Sequence, residues 1–293
     1  MGAANRRVSL ALLIAAALAA AAPAGAQQVF PTPEAAVAAL VGKLSPVDET
    51  GLSTVLGPSY RQLMPLDPVS SEDLEGFLAA WTKGHRVERD AGGARLVLSD
   101  GWTLPIPIVR RGEGWVFDAA RGVEEIRLRR IGRNELMAIA ALRGFLDAQR
   151  EYASEDRNAD GVLEYARRFA SRPGQRDGLY WPTADDEPES PAGPLFETEG
   201  LEDGYHGYRF RILEAQGAAA DGGARSYLSG GRLVNGFAAV AWPARYGETG
   251  VMTFAINHDG VVHQSDLGPD TAAVASAMAA YDPDARWVAP PTP

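Results

Sequence analysis

The residue types and spacing that best suit chemistry are Asp156, Asn158 and Asp160, three oxygen-bearing side chains at alternate positions, followed by Gly161 and then Glu164. Alternating oxygen ligands closed by a turn glycine form the first half of an EF-hand loop, in which hard oxygens surround a hard cation. The second half departs from that pattern. Counting Asp156 as the first ligand, the place of the bidentate glutamate holds Arg167, and Glu164 stands at the ninth place. Asp156, Asn158, Asp160 and Glu164 are therefore a candidate calcium turn outside the EF-hand class, closed by a further carboxylate such as Glu155 or an acid from a distant loop. The competing reading is an Asx-rich turn that caps the following segment and binds only water.

The rest of the chain offers weaker chemical signals. A zinc site needs converging ligands at close spacing, and of the histidines at 85, 206, 258 and 263 only His258 and His263 flank one turn, Asp259-Gly260. There is no GxSxG elbow, because Ser229-Gly230-Gly231 lacks a glycine two residues before the serine. Gly222-Gly223 and Gly230-Gly231 lack the Lys-Ser continuation of a phosphate-cradling loop. Asp185, Asp186 and Glu187 read as a solvated loop face. Tyr180, Trp181, Tyr205, Tyr208, Trp242 and Tyr246 are grouped in the second half, often beside Gly or Pro in expected turns, where aromatic rings either stack on sugars and peptides or pack corners.

The element that must carry the acidic turn precedes it directly. Leu136, Ile139, Leu142, Leu146, Gln149 and Ala153 recur at three- and four-residue steps, the stripe of a helix with one buried face. Asn134 reads as its N-cap, with Glu135 in the first turn. Gly161 to Phe169 reads as a further helical turn or two. Before this spine come three expected helices. Thr32-Pro33 opens the first, Gly57-Pro58 closes the second, and the third starts at Ser70-Ser71 and buries Leu74, Phe77, Leu78 and Trp81. Strands follow at 86–90, 95–99, 102–110 and 115–118, with Pro105 and Pro107 predicting a sheet edge along the third. After the spine, residues 172–202 read as a loop, and strands are expected at 205–213, 233–242, 251–257 and 261–264, then a helix capped by Asp270 and running to Tyr281.

Composition bounds the function. The chain has 293 residues, no cysteine and a net charge of −10, which excludes disulfides, thiolate metal sites and a cysteine nucleophile and argues against nucleic acid and anionic membranes as partners. Residues 1–26 carry Arg6-Arg7, an apolar run and the ending Ala24-Gly25-Ala26, the pattern of a cleaved secretory signal. Its removal takes away two arginines and no acid, so the net charge moves from −10 to −12. Beyond it no stretch is apolar enough to span a bilayer. The expected organisation is a signal at 1–26, an α+β domain at 27–122, a second α+β domain at 123–288 and a loose tail at 289–293.

Seven words, IGRNEL from Ile131, AQREYA from Ala148, DGVLEYA from Asp160, RDGLYWP from Arg176, YHGYRFRIL from Tyr205, GFAAVAWPARYGETGVMTF from Gly236 and DLGPDT from Asp266, carry a resemblance over nearly all of the mature chain. By these the chain resembles the exported bacterial family called domain of unknown function 2950, which brings no activity to transfer. From Asn134 to Gln264 it also resembles the globular heads of type IV pilins and pseudopilins, which implies a spine helix packed on an antiparallel sheet. The place where a prepilin carries its apolar helix here holds another domain, so pilus assembly is not implied. The first domain is similar in layout to a nuclear-transport-factor-2-like cone, helices on a curved antiparallel meander. The expectation is a non-catalytic, exported envelope protein, periplasmic or secreted, acting as a structural or protein-interaction module toward an envelope or cell-surface partner. The alternatives are a periplasmic module that binds glycan or peptide through its aromatic turns, and a hydrolase whose site assembles only in three dimensions.

Overall fold

The structure, a computed structural model, describes residues 27–64, 71–157, 160–184, 187–193 and 204–291. Residues 1–26, expected as a secretory signal, Ser70, Asn158, Asp185, Asp186 and the end of the tail lie outside the described residues. The fold is α+β, and the chain divides into two compact units between Val123 and Glu124.

In the first unit α1 (Pro33–Val41) is capped by Thr32, whose Oγ1 accepts the Ala35 amide at 3.1 Å, and α2 (Glu49–Leu56) by Asp48, whose carboxylate accepts the Gly51 amide at 2.9 Å. A short α3 (Tyr60–Leu63) and then α4 (Ser71–Lys83) follow. The meander is β1 (His85–Asp90), β2 (Gly93–Leu98), β3 (Ile108–Arg111) and β4 (Gly114–Phe117), antiparallel and in sequence order. Val37, Leu40, Leu52, Val55, Leu56, Leu96, Ile108 and Phe117 form its core, with α1 against β2 and β4.

The first unit departs from the expected pattern at α4 and at the two prolines. Leu74, Phe77, Leu78 and Trp81 of α4 are only half-buried. Pro105 and Pro107 do not edge the sheet. They lie before β3, where missing amide donors shorten the strand, and β3 itself runs between β2 and β4. The edges are β1, whose charged residues deter further pairing, and β4, whose outer side exchanges two hydrogen bonds of 2.8 Å between Phe30 and Trp115.

The spine α5 (Ala119–Tyr152) starts well before Asn134 and is capped by Asp118, whose Oδ1 accepts the Arg121 amide at 3.1 Å. Asn134 and Glu135 sit inside the helix and reach across to a loop. Asn134 Nδ2 donates to the Thr249 carbonyl at 2.9 Å, and Glu135 Oε1 accepts the Val251 and Met252 amides, both at 3.0 Å. The buried face is Ala138, Ala141, Leu142, Phe145, Leu146, Ala148, Gln149 and Tyr152, while Leu136, expected in the stripe, is 56% exposed.

The sheet of the second unit contains β5 (Tyr208–Leu213), β10 (Ala238–Pro243), β11 (Thr253–Asn257) and β12 (His263–Ser265), antiparallel in the order β12-β11-β10-β5. Two small ribbons, β6 (Ala215–Gln216) with β7 (Arg225–Ser226) and β8 (Leu228–Ser229) with β9 (Arg232–Leu233), lie between β5 and β10 in the chain. The buried face of α5 shares one core with β10, β11 and Ala275 of α6 (Thr271–Ala277). Asp270 makes no side-chain cap to α6, which stops short of Tyr281.

Residues 161–169 are not helical. Gln149, fully buried, presents its amide to Ala166 as a strand would, Nε2 donating to the Ala166 carbonyl and Oε1 accepting its N–H, both at 2.8 Å. Tyr165 donates its amide to the Leu233 carbonyl at 2.8 Å. These pairings hold the segment extended, because a helix would need the same backbone groups for itself.

Candidate functional site

Where α5 ends, Arg157 lies over the rings of Tyr152 and Trp181, at 5.9 and 5.6 Å from their centroids, and anchors the acidic turn. The turn is satisfied from within the chain. Asp156 accepts the Gly161 amide at 2.7 Å and the Asp160 amide at 3.3 Å. Asp160 accepts the Val162 amide at 3.0 Å through Oδ1, and its Oδ2 takes Nε and Nη2 of Arg232 at 2.9 and 2.6 Å. A cation of the chain itself thus already sits on one of the expected ligand carboxylates. Asn158 lies outside the described residues, and among these no three His, Cys, Asp or Glu side chains converge as metal ligands.

Beside the turn opens a cleft of about 640 Å³, walled by Glu164, Arg167, Arg168, Arg172, Asp177 and Arg232 among others, with Tyr152 in its lining. Arg167 is tied to Glu214 at 2.6 Å and donates to the Gly231 carbonyl at 3.0 Å. Asp177 gathers two arginines. Its Oδ1 accepts the Arg172 amide at 2.9 Å, and its Oδ2 accepts Arg172 Nε at 2.6 Å and lies 3.4 Å from Arg168 Nε.

The titration of the cleft follows from these neighbours. Burial, then Glu164 and Asp177, push the Tyr152 hydroxyl up to about 12, and it donates to the Arg176 carbonyl at 2.7 Å. Burial and the nearby Asp160 hold Glu164 above the usual carboxylate range. Burial pushes Asp177 the same way, but the backbone and side-chain hydrogen bonds of Arg172 and the charges of Arg172 and Arg168 outweigh it and leave Asp177 below that range.

Among the described residues the histidines do not gather into a metal site. His85 stacks on Trp81 with ring centroids 3.4 Å apart. His258 meets Arg225 at 2.9 Å, and His263 Nδ1 meets the Tyr281 hydroxyl at 2.9 Å. Of the aromatics marked for stacking, Trp181, Tyr208 and Trp242 are buried, and Tyr180, Tyr205 and Tyr246 are half-buried. Tyr208 donates to the Met252 carbonyl at 2.9 Å and is held far above the ordinary phenol range by burial, with Glu135 adding to it. The cleft arginines escaped the sequence reading. Their signal was visible as Arg167, Arg168, Arg172 and Arg176 closely spaced in an otherwise acidic chain.

Residues 27–289 match the family described as "Protein of unknown function (DUF2950)". The chain belongs to this family. The match covers all but residues 1–26 and the last four, so the DUF2950 sequence takes in residues of both compact units and the whole lining of the cleft. No curated protein and no solved structure matches the chain. Among the described residues of this DUF2950 member, no helix is long and apolar enough to cross a membrane.

Proposed function

We propose that the chain is a non-catalytic, exported envelope protein that acts as an interaction module and takes its partner in the arginine-walled cleft of the second unit. The observation that carries this reading is the cleft itself, polar, open and framed by charged side chains whose geometry is fixed by ion pairs. Burial of Trp181, Tyr208 and Trp242 moves the binding surface away from the aromatic turns. In this reading the acidic turn is a wall of the cleft, and the helix-on-sheet layout, like that of the pilin heads the sequence resembles, is the scaffold that holds it.

Glycan and peptide arrays probed with the full chain test the proposal. Binding to one ligand class is expected, and Gln175→Trp, which fills the cleft from an exposed lining position, is expected to abolish it. Array binding that ignores Gln175→Trp overturns the assignment. For export, N-terminal sequencing of protein recovered from the envelope or medium is expected to begin at or near Gln27, and an intact Met1 overturns the compartment.

One observation favours a hydrolase as the second reading. Glu164 and Asp177 both act on Tyr152 and their environments push their titrations apart, as in an acid and base pair. Turnover of an array ligand that Glu164→Gln abolishes without loss of binding would replace the non-catalytic reading with this one.

A further inference from the structure

We infer that Arg168 and Arg172 form an oxyanion-binding fork, held in place by Asp177, that recognises a carboxylate or phosphate group on the ligand. The inference rests on the cleft being the binding surface. Both arginines approach the same oxygen, Asp177 Oδ2, through Nε, at 3.4 Å for Arg168 and 2.6 Å for Arg172. A tie made through Nε uses the side edge of each guanidinium and leaves the end edge, between Nη1 and Nη2, for a second anion. Those nitrogens make no hydrogen bond to the described residues. Their exposure matches: the arginine side chains are 55% and 57% exposed, and the carboxylate between them is 27% exposed.

Charge points the same way. Two guanidinium groups share one carboxylate, so the trio carries a net positive charge on a chain of net −10. The neighbouring arginines do not repeat the pattern, because Arg167 faces Glu214 and Arg232 faces Asp160 one to one. A planar guanidinium edge pairs with two oxygens of a carboxylate or phosphate at once, which a lysine cannot do. The main chain adds rigidity, since the Arg172 amide also binds Asp177, at 2.9 Å, and the Arg168 carbonyl accepts the Leu179 amide at 3.1 Å. Asp177 is a positioning residue in this scheme, and the arginines are the contacts.

Calorimetric titration of the full chain at low ionic strength tests the fork, with inorganic phosphate, glucuronate and the uncharged sugar glucose as probes. Saturable binding of phosphate or glucuronate is expected, and which of the two binds tells phosphate recognition from carboxylate recognition. Arg168→Gln and Arg172→Gln, both at exposed side chains that leave the fold intact, are expected to weaken that binding by about tenfold or more. Arg143→Gln, the same charge change on the exposed side of α5, is expected to change it by less than about twofold. Asp177→Asn separates the fork from bulk attraction. It adds a net positive charge, so attraction by charge alone would tighten anion binding, whereas loss of the tie loosens it. Absence of saturable anion binding, an Arg143→Gln effect equal to the fork variants, or tighter binding by Asp177→Asn overturns the fork. Ligand binding that Gln175→Trp abolishes but Arg168→Gln and Arg172→Gln leave unchanged overturns the fork and leaves the cleft standing.

Discussion

Replacing Gln149 by leucine tests the joint between the spine helix and the extended segment that leads into the cleft. Leucine keeps most of the volume, so the change removes hydrogen bonds without opening a large cavity. The side chain is fully buried and its two bonds, both 2.8 Å, go to the N–H and the carbonyl of one buried residue, Ala166. Their loss leaves a donor and an acceptor unpaired away from water, each costing about 1–3 kcal/mol, so the expected destabilisation is about 2–6 kcal/mol. Against a total stability of about 5–15 kcal/mol for a domain, that is a large share. Urea unfolding followed by tryptophan emission and far-ultraviolet dichroism reads it as a lower midpoint with an unchanged slope. Gln149→Glu is expected to be no better, since it keeps an acceptor for the Ala166 amide, loses the donor to the carbonyl and buries a charge. A Gln149→Leu unfolding free energy within about 0.5 kcal/mol of the parent would refute the reasoning, because it would mean water reaches Ala166 or the segment re-pairs freely.

Three further outcomes follow from the geometry. Gly250→Ala places a methyl group against the Tyr208 hydroxyl, and the overlap is expected to cost about 1–3 kcal/mol, with Tyr208→Phe in the same chain restoring part of it; additive losses in thermal unfolding would contradict that contact. Millimolar calcium is expected to leave the melting midpoint unchanged, because amides hold both oxygens of Asp156, and an amide and Arg232 hold those of Asp160; a rise of several degrees would establish the turn as a cation site. Glu164 has its folded titration raised, so the folded chain holds more protons than the unfolded one in that window and stability falls as pH rises through it. Glu164→Gln is therefore expected to stabilise the chain at neutral pH by less than about 1 kcal/mol, with the gain vanishing below about pH 4; melting scans across that range check the sign, and a loss at neutral pH contradicts it.

The sequence made the α+β order legible because helix and strand differ in period, and Gly-rich turns mark the joints. It misplaced the start of α5 because Asn134 and Glu135 have the chemistry of a cap and its first turn. In the fold that same chemistry is directed at Thr249, Val251 and Met252, partners more than a hundred residues away in sequence. Gln149 was recognised as buried from its position in the stripe, but its partner was not, and without it residues 161–169 read as helix. The spacing of Asp156 and Asp160 was legible and the approach of Arg232 was not, because it depends on the β8-β9 ribbon reaching back to the turn. The fork stayed hidden for a related reason. The arginines are plain in the sequence, yet nothing in their spacing says that two of them converge on one oxygen of Asp177.

Trp181 has Arg157 at 5.6 Å and Arg176 at 5.4 Å from its ring, and Arg176 is the residue that precedes Asp177 and accepts the Tyr152 hydroxyl through its carbonyl. An indole excited state is polarised by charge lying over it. The colour and yield of Trp181 emission are therefore coupled to the position of the segment that carries Asp177, and the protein holds an optical gauge of its cleft without any added label.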